Sequence, residues 1–132
     1  MARILLTEDD DSVRSFVKRA LELDGHWVKA AEDGAEAVEV LAREEGKFDL
    51  LVSDIKMPIM DGIALAVHTS RDWPSVPILL MTGFADQRER AGGLDALVHD
   101  VITKPFSLAD IRRSVRHAIA GVVPEQTRLY AS

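Results

Sequence analysis

Polar side chains that could bind a metal ion or a phosphoryl group follow four short apolar runs of this chain. The runs cover residues 4–6, 50–52, 78–81 and 101–102. The polar residues within three positions of their ends include Glu8, Asp9, Asp54, Thr82 and Lys104. Carboxylates that hold Mg²⁺ and a Lys that meets phosphate oxygens are the groups that phosphoryl transfer uses. We therefore ask whether the fold brings these residues together.

The carboxylates of Glu8, Asp9 and Asp54 would repel one another if they converged, by roughly 4 kcal/mol per pair at about 4 Å and an effective dielectric near 20. Mg²⁺ relieves such repulsion, because it binds a few carboxylates and keeps several waters. Asp54 could then attack a phosphoryl group. Lys104 would place a compact positive charge on the phosphoryl oxygens, and Thr82 would donate its hydroxyl to them. The alternative is that Asp54 only caps a loop.

The four runs are continuously apolar, as is typical of strands buried on both faces of a parallel sheet. Residues 27–30 are more mixed and predict a strand near an edge. Stretches of helical period separate the strands. The predicted buried stripes are Val13, Phe16, Val17, Ala20 and Leu21 in the first helix, Val38 and Leu41 in the second, and Leu108, Ile111, Val115 and Ile119 in the last.

Capping residues mark where these helices begin. Asp33 with Glu36, and Ser107 with Asp110, have the spacing of a capping box. In the acidic run after Asp9, capping of the first helix by Asp10 or Asp11 is favoured over metal ligation. Asp61, before Gly62, is interpreted as a loop and helix-start residue.

The β-α pattern repeats about five times, which predicts an α/β fold with a doubly wound parallel sheet. Ligands of such sheets bind outside the carboxyl ends of the strands, where the polar residues lie. The length of 132 residues suits one domain, which we place at residues 1–121 with a flexible tail at 122–132. The helix predicted after Phe84 contains Gly92 and Gly93, each costing roughly 1 kcal/mol relative to Ala.

Composition excludes several classes of function. The net charge of −6 argues against nucleic-acid binding. Cysteine is absent, so thiol chemistry and disulfides are excluded. The apolar start of the chain is too short for a signal peptide or a membrane span, which makes a cytoplasmic location the default expectation. A P-loop glycine-lysine signature is also lacking.

These motifs, in this order and spacing, resemble the receiver domain of two-component response regulators, the CheY-like superfamily. The resemblance covers about residues 3–120. The matching segments are Glu8-Asp9, Asp54-Ile-Lys-Met-Pro-Ile-Met-Asp61-Gly62, Thr82-Gly83 and Lys104-Pro105-Phe106.

The resemblance implies a five-stranded sheet in the order 2-1-3-4-5, similar to flavodoxin. It implies that Asp54 accepts a phosphoryl group from the phosphohistidine of a histidine kinase or phosphotransferase. Mg²⁺ would be held by Asp9 and Asp54, by Glu8 through water, and by the backbone carbonyl of Lys56. Thr82 and Lys104 would bind the phosphoryl group, and the Lys104–Pro105 peptide would be cis.

The chain departs from the family pattern at Val101. Many receivers carry at this position an aromatic residue whose side-chain rotamer changes with phosphorylation. We therefore expect no aromatic relay, and we expect switching to involve order changes in the helix after Phe84. The resemblance implies that Phe84 and Lys56 occupy positions that often tune the lifetime of the phosphate in this family. We regard Lys56, Phe84 and Val101 as modulators.

The chain ends about a dozen residues after the last helix, so we expect its output to be protein contact through the fourth and last helices and the fifth strand. The basic residues Arg112, Arg113 and Arg116 either serve that contact or form a solvated face. At finer grain the chain resembles stand-alone receivers that act, when unphosphorylated, as adaptors for the ClpXP protease.

Two other kinds of function stay open. One is a different stand-alone receiver, either a chemotaxis-type motor binder or a phosphorelay intermediate. The other is a haloacid-dehalogenase-like phosphatase with an Asp nucleophile. Those enzymes place a second Asp two residues after the nucleophile, where this chain has Lys56. We therefore expect a phosphoacceptor switch with at most slow self-dephosphorylation.

Overall fold

Five parallel strands form one sheet in a computed structural model that describes residues 1–83 and 96–121. Within these ranges the strands are β1 (Arg3–Thr7), β2 (Trp27–Ala31), β3 (Leu50–Asp54), β4 (Ile78–Thr82) and β5 (Asp100–Thr103). The helices are α1 (Asp11–Leu23), α2 (Gly34–Arg43), α3 (Gly62–Asp72) and α4 (Leu108–Ala120). The sheet order is β2-β1-β3-β4-β5, so the predicted fold class and strand order are confirmed.

Alternate residues of each central strand fill opposite sides of the sheet. In β1, Ile4 and Leu6 pack with α1 and α4, whereas Leu5 packs with α2 and α3. The same alternation continues in β3 and β4, whose residues are all buried. The continuous apolar runs arise because both sides of the sheet are covered. In β5, at the sheet edge, Val101 and Ile102 are only half-buried.

Two predicted positions of the helix stripes are wrong. Phe16 of α1 is 41% exposed, and Ile119 of α4 is 36% exposed. The buried line of α1 runs through Val17, Ala20 and Leu21, and Ala118 takes the inner position expected of Ile119. Successive helical residues are rotated by about 100°, so a side chain next to the buried line already turns toward solvent.

Side chains cap the start of each helix, as predicted. The caps are Asp10 to the amide of Val13 at 2.9 Å, Asp33 to that of Glu36 at 2.8 Å, Asp61 to that of Ala64 at 2.8 Å, and Ser107 to that of Asp110 at 3.0 Å. The capping box at Ser107 is complete. At α2 only half of the predicted box forms, because the Glu36 carboxylate accepts from the amide of Glu32 at 3.4 Å.

The basic residues of α4 are paired within the chain. Arg112 and Arg116 both bind Asp24 at the end of α1, and Arg113 binds Asp110. The Arg112 guanidinium holds the pKa of Asp24 below its usual range. The contacts of Arg112 and Arg116 with Asp24 tie α1 to α4, which neither interpretation of the arginines anticipated.

The helix predicted after Phe84, Phe84 itself and the tail at 122–132 lie outside the described residues. Within the described part of the chain, every helix is too short or too polar to cross a bilayer.

Candidate functional site

Three carboxylates meet at the carboxyl edge of the sheet. Glu8 and Asp9 lie just after β1, and Asp54 ends β3, the strand beside it. Glu8 and Asp54 are buried, at 0% and 5% exposure, whereas Asp9 is exposed. One oxygen atom from each carboxylate lies within 4.8 Å of the others. The predicted acidic group is therefore assembled, and its all-oxygen donor set suits a hard cation such as Mg²⁺.

Lys104 enters the same site from the end of β5. Its Nζ lies 3.0 Å from Glu8 Oε2 and 3.2 Å from Asp54 Oδ1. The backbone amide of Lys104 donates to the carbonyl of Thr82 at 2.6 Å, and the following peptide bond to Pro105 is cis. The ammonium thus bridges two buried carboxylates that are distant in sequence.

Burial and mutual repulsion shape the charges of the site. Burial, followed by the charge of Asp54, raises the pKa of Glu8 to about 7, although Lys104 opposes this. Burial also raises the pKa of Asp54, again against Lys104. Burial alone would lower the pKa of Lys104, but its contacts with Glu8 and Asp54 raise it above the ordinary value. A single ammonium therefore does not fully compensate these carboxylates, and a divalent cation would.

Close contacts with β4 and with the first residue of α3 hold the backbone at Asp54 and Ile55. The amide of Ile55 donates to the carbonyl of Met81 at 3.0 Å, and the amide of Gly62 donates to the carbonyl of Ile55 at 2.8 Å. A Cβ on Gly62 would lie 2.1 Å from the carbonyl oxygen of Asp54. Only glycine permits this approach, so Gly62 helps to set the position of Asp54.

Three of the four remaining predicted site residues lie in the described part of the chain. Thr82 is buried at the end of β4 and pairs in register with Thr103. Lys56 is exposed in the loop after β3, and Val101 is half-buried in β5 and packs against the core on the α2 and α3 side of the sheet. Phe84 lies outside the described residues.

Arg14 is a neighbour of the site that the sequence analysis missed. Its Nη1 donates to the backbone carbonyl of Glu8 at 2.9 Å from the first turn of α1. A basic residue six positions after Glu8 was the available signal, but a sequence does not show that an Arg reaches a backbone carbonyl.

A cavity of about 530 Å³ opens beside Lys104. Its apolar walls include Val13 and Phe16 of α1 and Pro105 and Phe106 of the loop after β5. The sequence predicted Phe16 in the buried stripe of α1. Its exposed side chain instead lines this cavity, next to the acidic group.

The fold and the site together define a class of protein: a parallel α/β domain with an acidic group and a Lys at the carboxyl edge of its sheet. Residues 4–116 match the response regulator receiver domain family, and the chain belongs to that family.

Known proteins that resemble the chain include response regulators and receiver domains. The response regulator MprA of Mycobacterium leprae (strain TN) is 36% identical over 123 residues, which are 93% of this chain and 53% of that protein. The chain thus spans about half the length of the curated relatives it matches.

Solved structures share the fold across nearly the whole chain. The non-phosphorylated HemR receiver domain of Leptospira biflexa is 33% identical with a TM-score of 0.79, over 91% of this chain and 95% of that one. A CheY-like receiver domain protein of Methanospirillum hungatei JF-1 is 26% identical with a TM-score of 0.83, over 92% and 96% of the two chains.

Proposed function

We propose that the chain is a phosphorylation switch in which Asp54 accepts a phosphoryl group from the phosphohistidine of a histidine kinase or phosphotransferase. One observation carries the proposal: the buried Asp54 carboxylate lies within 3.2 Å of the Lys104 ammonium and within the same oxygen-rich group as Glu8 and Asp9. A carboxylate that only capped a loop would need neither neighbour.

Each group of the site has a role in this proposal. An Asp54 oxygen forms the new bond to phosphorus while the bond from phosphorus to the donor imidazole nitrogen breaks, and that nitrogen keeps the electron pair. Asp9, Asp54, the backbone carbonyl of Lys56 and, through water, Glu8 would hold Mg²⁺, which would supply positive charge to neutralise the phosphoryl oxygens. Lys104 shifts from the carboxylates to those oxygens, and Thr82 donates its hydroxyl to them.

The cavity beside Lys104 suits the protein that delivers the phosphoryl group. Its walls combine the side chains of Val13, Phe16 and Phe106 with Lys104. Apolar contacts there would exclude water from a donor imidazole placed over Asp54. This arrangement supports a protein donor whose His projects from its surface, as a His on an exposed helix does.

We further propose that the phosphoryl group stays on the protein as a signal and is not turned over rapidly. The support is Lys56, which stands where a haloacid-dehalogenase-like phosphatase has its acid/base Asp. Lys56, Phe84 and Val101 are proposed to set the lifetime of the phosphate and the response to it. Repeated release of phosphate from a generic phosphomonoester would contradict this.

The test uses a small phosphodonor, such as acetyl phosphate or phosphoramidate, with Mg²⁺ and intact-mass detection. The wild type should gain one phosphoryl group, and chelation of Mg²⁺ should prevent this. Asp54→Ala should gain none. Asp72→Ala is the matched control, because it removes an exposed carboxylate at the far end of α3. Full labelling of Asp54→Ala, or no labelling of the wild type by either donor, would overturn the proposal.

A finer proposal concerns the output: a cytoplasmic adaptor for the ClpXP protease, of the type of CpdR. It is supported by the opening residues 3–12, the segment from Met81 and Val101 in place of an aromatic residue. The curated relatives are longer than this chain, and the functions of their other parts are not carried over to it. Purified ClpX should bind the unphosphorylated chain and release it after phosphorylation. Binding in neither state would contradict the adaptor role and favour a relay or chemotaxis-type receiver.

A further inference from the structure

Arg14 joins three segments around the acidic group. Its Nη1 donates to the carbonyl of Glu8 at 2.9 Å, its Nη2 pairs with Asp11, and Nη2 also lies 3.9 Å from Glu32 Oε1. The guanidinium therefore connects the end of β1, the start of α1 and the loop between β2 and α2. Its side chain is only 17% exposed, unlike those of Asp11 and Glu32 at 88% and 71%.

The backbone of Glu8 is bound on both sides. Its amide donates to the carbonyl of Ala31 at 3.1 Å, and its carbonyl accepts from Arg14. That carbonyl belongs to the peptide that links Glu8 to Asp9. Arg14 thus sets the plane of the peptide on which two of the three carboxylates are mounted.

We propose that Arg14 is a positioning residue for the acidic group, orienting Glu8 and Asp9 for a divalent cation without touching the cation itself. The inference rests on the proposed function of the site and deepens it. A guanidinium suits the task because its rigid fork makes several hydrogen bonds at once, which an ammonium cannot reproduce.

Charge and geometry predict opposite effects, which makes the inference testable. As a charge alone, Arg14 repels a cation, so its removal would strengthen Mg²⁺ binding and a Lys in its place would change little. As a positioning group, Arg14 improves the site, so loss of the fork weakens Mg²⁺ binding even though a positive charge has gone.

The experiment compares Arg14→Gln, Arg14→Lys and the wild type by titration with Mg²⁺, followed by amide NMR shifts. Arg19→Gln is the matched control, because Arg19 lies exposed on the same helix. Loss of a group that orients metal ligands typically weakens metal affinity at least about tenfold, so we expect this for both Arg14 variants and no change for Arg19→Gln. Raised ionic strength should leave the ratio of variant to wild-type Mg²⁺ affinity unchanged, because this ratio reports geometry and not charge.

Phosphorylation of Asp54 provides a second readout. At Mg²⁺ concentrations that saturate each variant, the rate with acetyl phosphate should return to that of the wild type, because the bound cation then holds the loop. Mg²⁺ affinity that is unchanged or stronger in Arg14→Gln, with Arg14→Lys unchanged, would overturn the inference. If Arg14→Gln failed to fold, Arg14→Lys would decide. A wild type that takes no phosphoryl group would refute the proposed function, while the titrations would still decide the role of Arg14.

Discussion

Glu8 offers the sharpest test of the electrostatics of the site. Its carboxylate is fully buried, yet its pKa is raised to about 7 by burial and by the charge of Asp54. The unfolded chain loses this proton near the ordinary value of 4.5, whereas the folded chain keeps it until about 7. The folded state therefore binds more protons between these values, and the stability of the fold falls as the pH rises through this window.

The substitution Glu8→Gln removes this effect with little change in shape. One pKa unit corresponds to about 1.4 kcal/mol, so the shift of Glu8 amounts to roughly 3 kcal/mol above neutral pH. The amide forfeits the charged hydrogen bond to Lys104, which offsets part of the gain. We therefore expect Glu8→Gln to be more stable than the wild type by about 1–3 kcal/mol at about pH 8 and nearly equal to it at about pH 5.

Urea unfolding of both proteins at the two pH values measures this difference. A chelator keeps divalent cations away, and a parallel series with saturating Mg²⁺ serves as the control. Mg²⁺ should remove most of the advantage of Glu8→Gln, because the cation compensates the ionised Glu8 of the wild type. A stability difference that is the same at both pH values, or a less stable Glu8→Gln above neutral pH, would refute the assigned cause of the pKa shift.

Two further predictions concern Ile59, in the loop between β3 and α3, and Gly62, the first residue of α3. Ile59 has a left-handed backbone with φ 70° and is 83% exposed. Ile59→Gly should therefore stabilise the fold by about 0.5–1 kcal/mol in urea unfolding, because glycine adopts this conformation without strain. An Ile59→Gly variant that is no more stable than the wild type would show that the backbone at Ile59 is not strained. Gly62→Ala should destabilise it by about 3 kcal/mol, because the new Cβ would overlap the carbonyl of Asp54. The control Gly83→Ala, whose Cβ meets no described atom within 4 Å, should be nearly neutral, and equal losses for the two glycines would contradict the steric argument.

Much of the site follows from local sequence because its ligands lie at the ends of strands. The apolar runs at residues 4–6 and 50–52 predict strands of a parallel sheet, and such strands bring their carboxyl ends to one edge. The convergence of Glu8, Asp9 and Asp54 could therefore be predicted without coordinates. The caps at Asp10 and Ser107 were also predictable, because capping depends on contacts within one helical turn.

The errors occur where a side chain's neighbours come from distant segments. Phe16 and Ile119 fit an apolar stripe, but the rotation of each helix on the sheet decides which side of the stripe is buried. Glu36 has the spacing of a capping box, yet its carboxylate meets the amide of Glu32. Arg112 is paired with Asp24 across two helices, which no local pattern indicates.

The sequence by itself determined the sheet, the strand order implied by the family resemblance, and the groups at its carboxyl edge. It did so because strand burial and chain connectivity leave few ways to arrange repeated β-α units. Only the tertiary structure decided that Lys104 bridges Glu8 and Asp54, that burial raises the pKa of Glu8, and that Arg14 reaches the Glu8 carbonyl. Those properties depend on distances and solvent exclusion between segments far apart in the chain, and such distances exist only once the chain has folded.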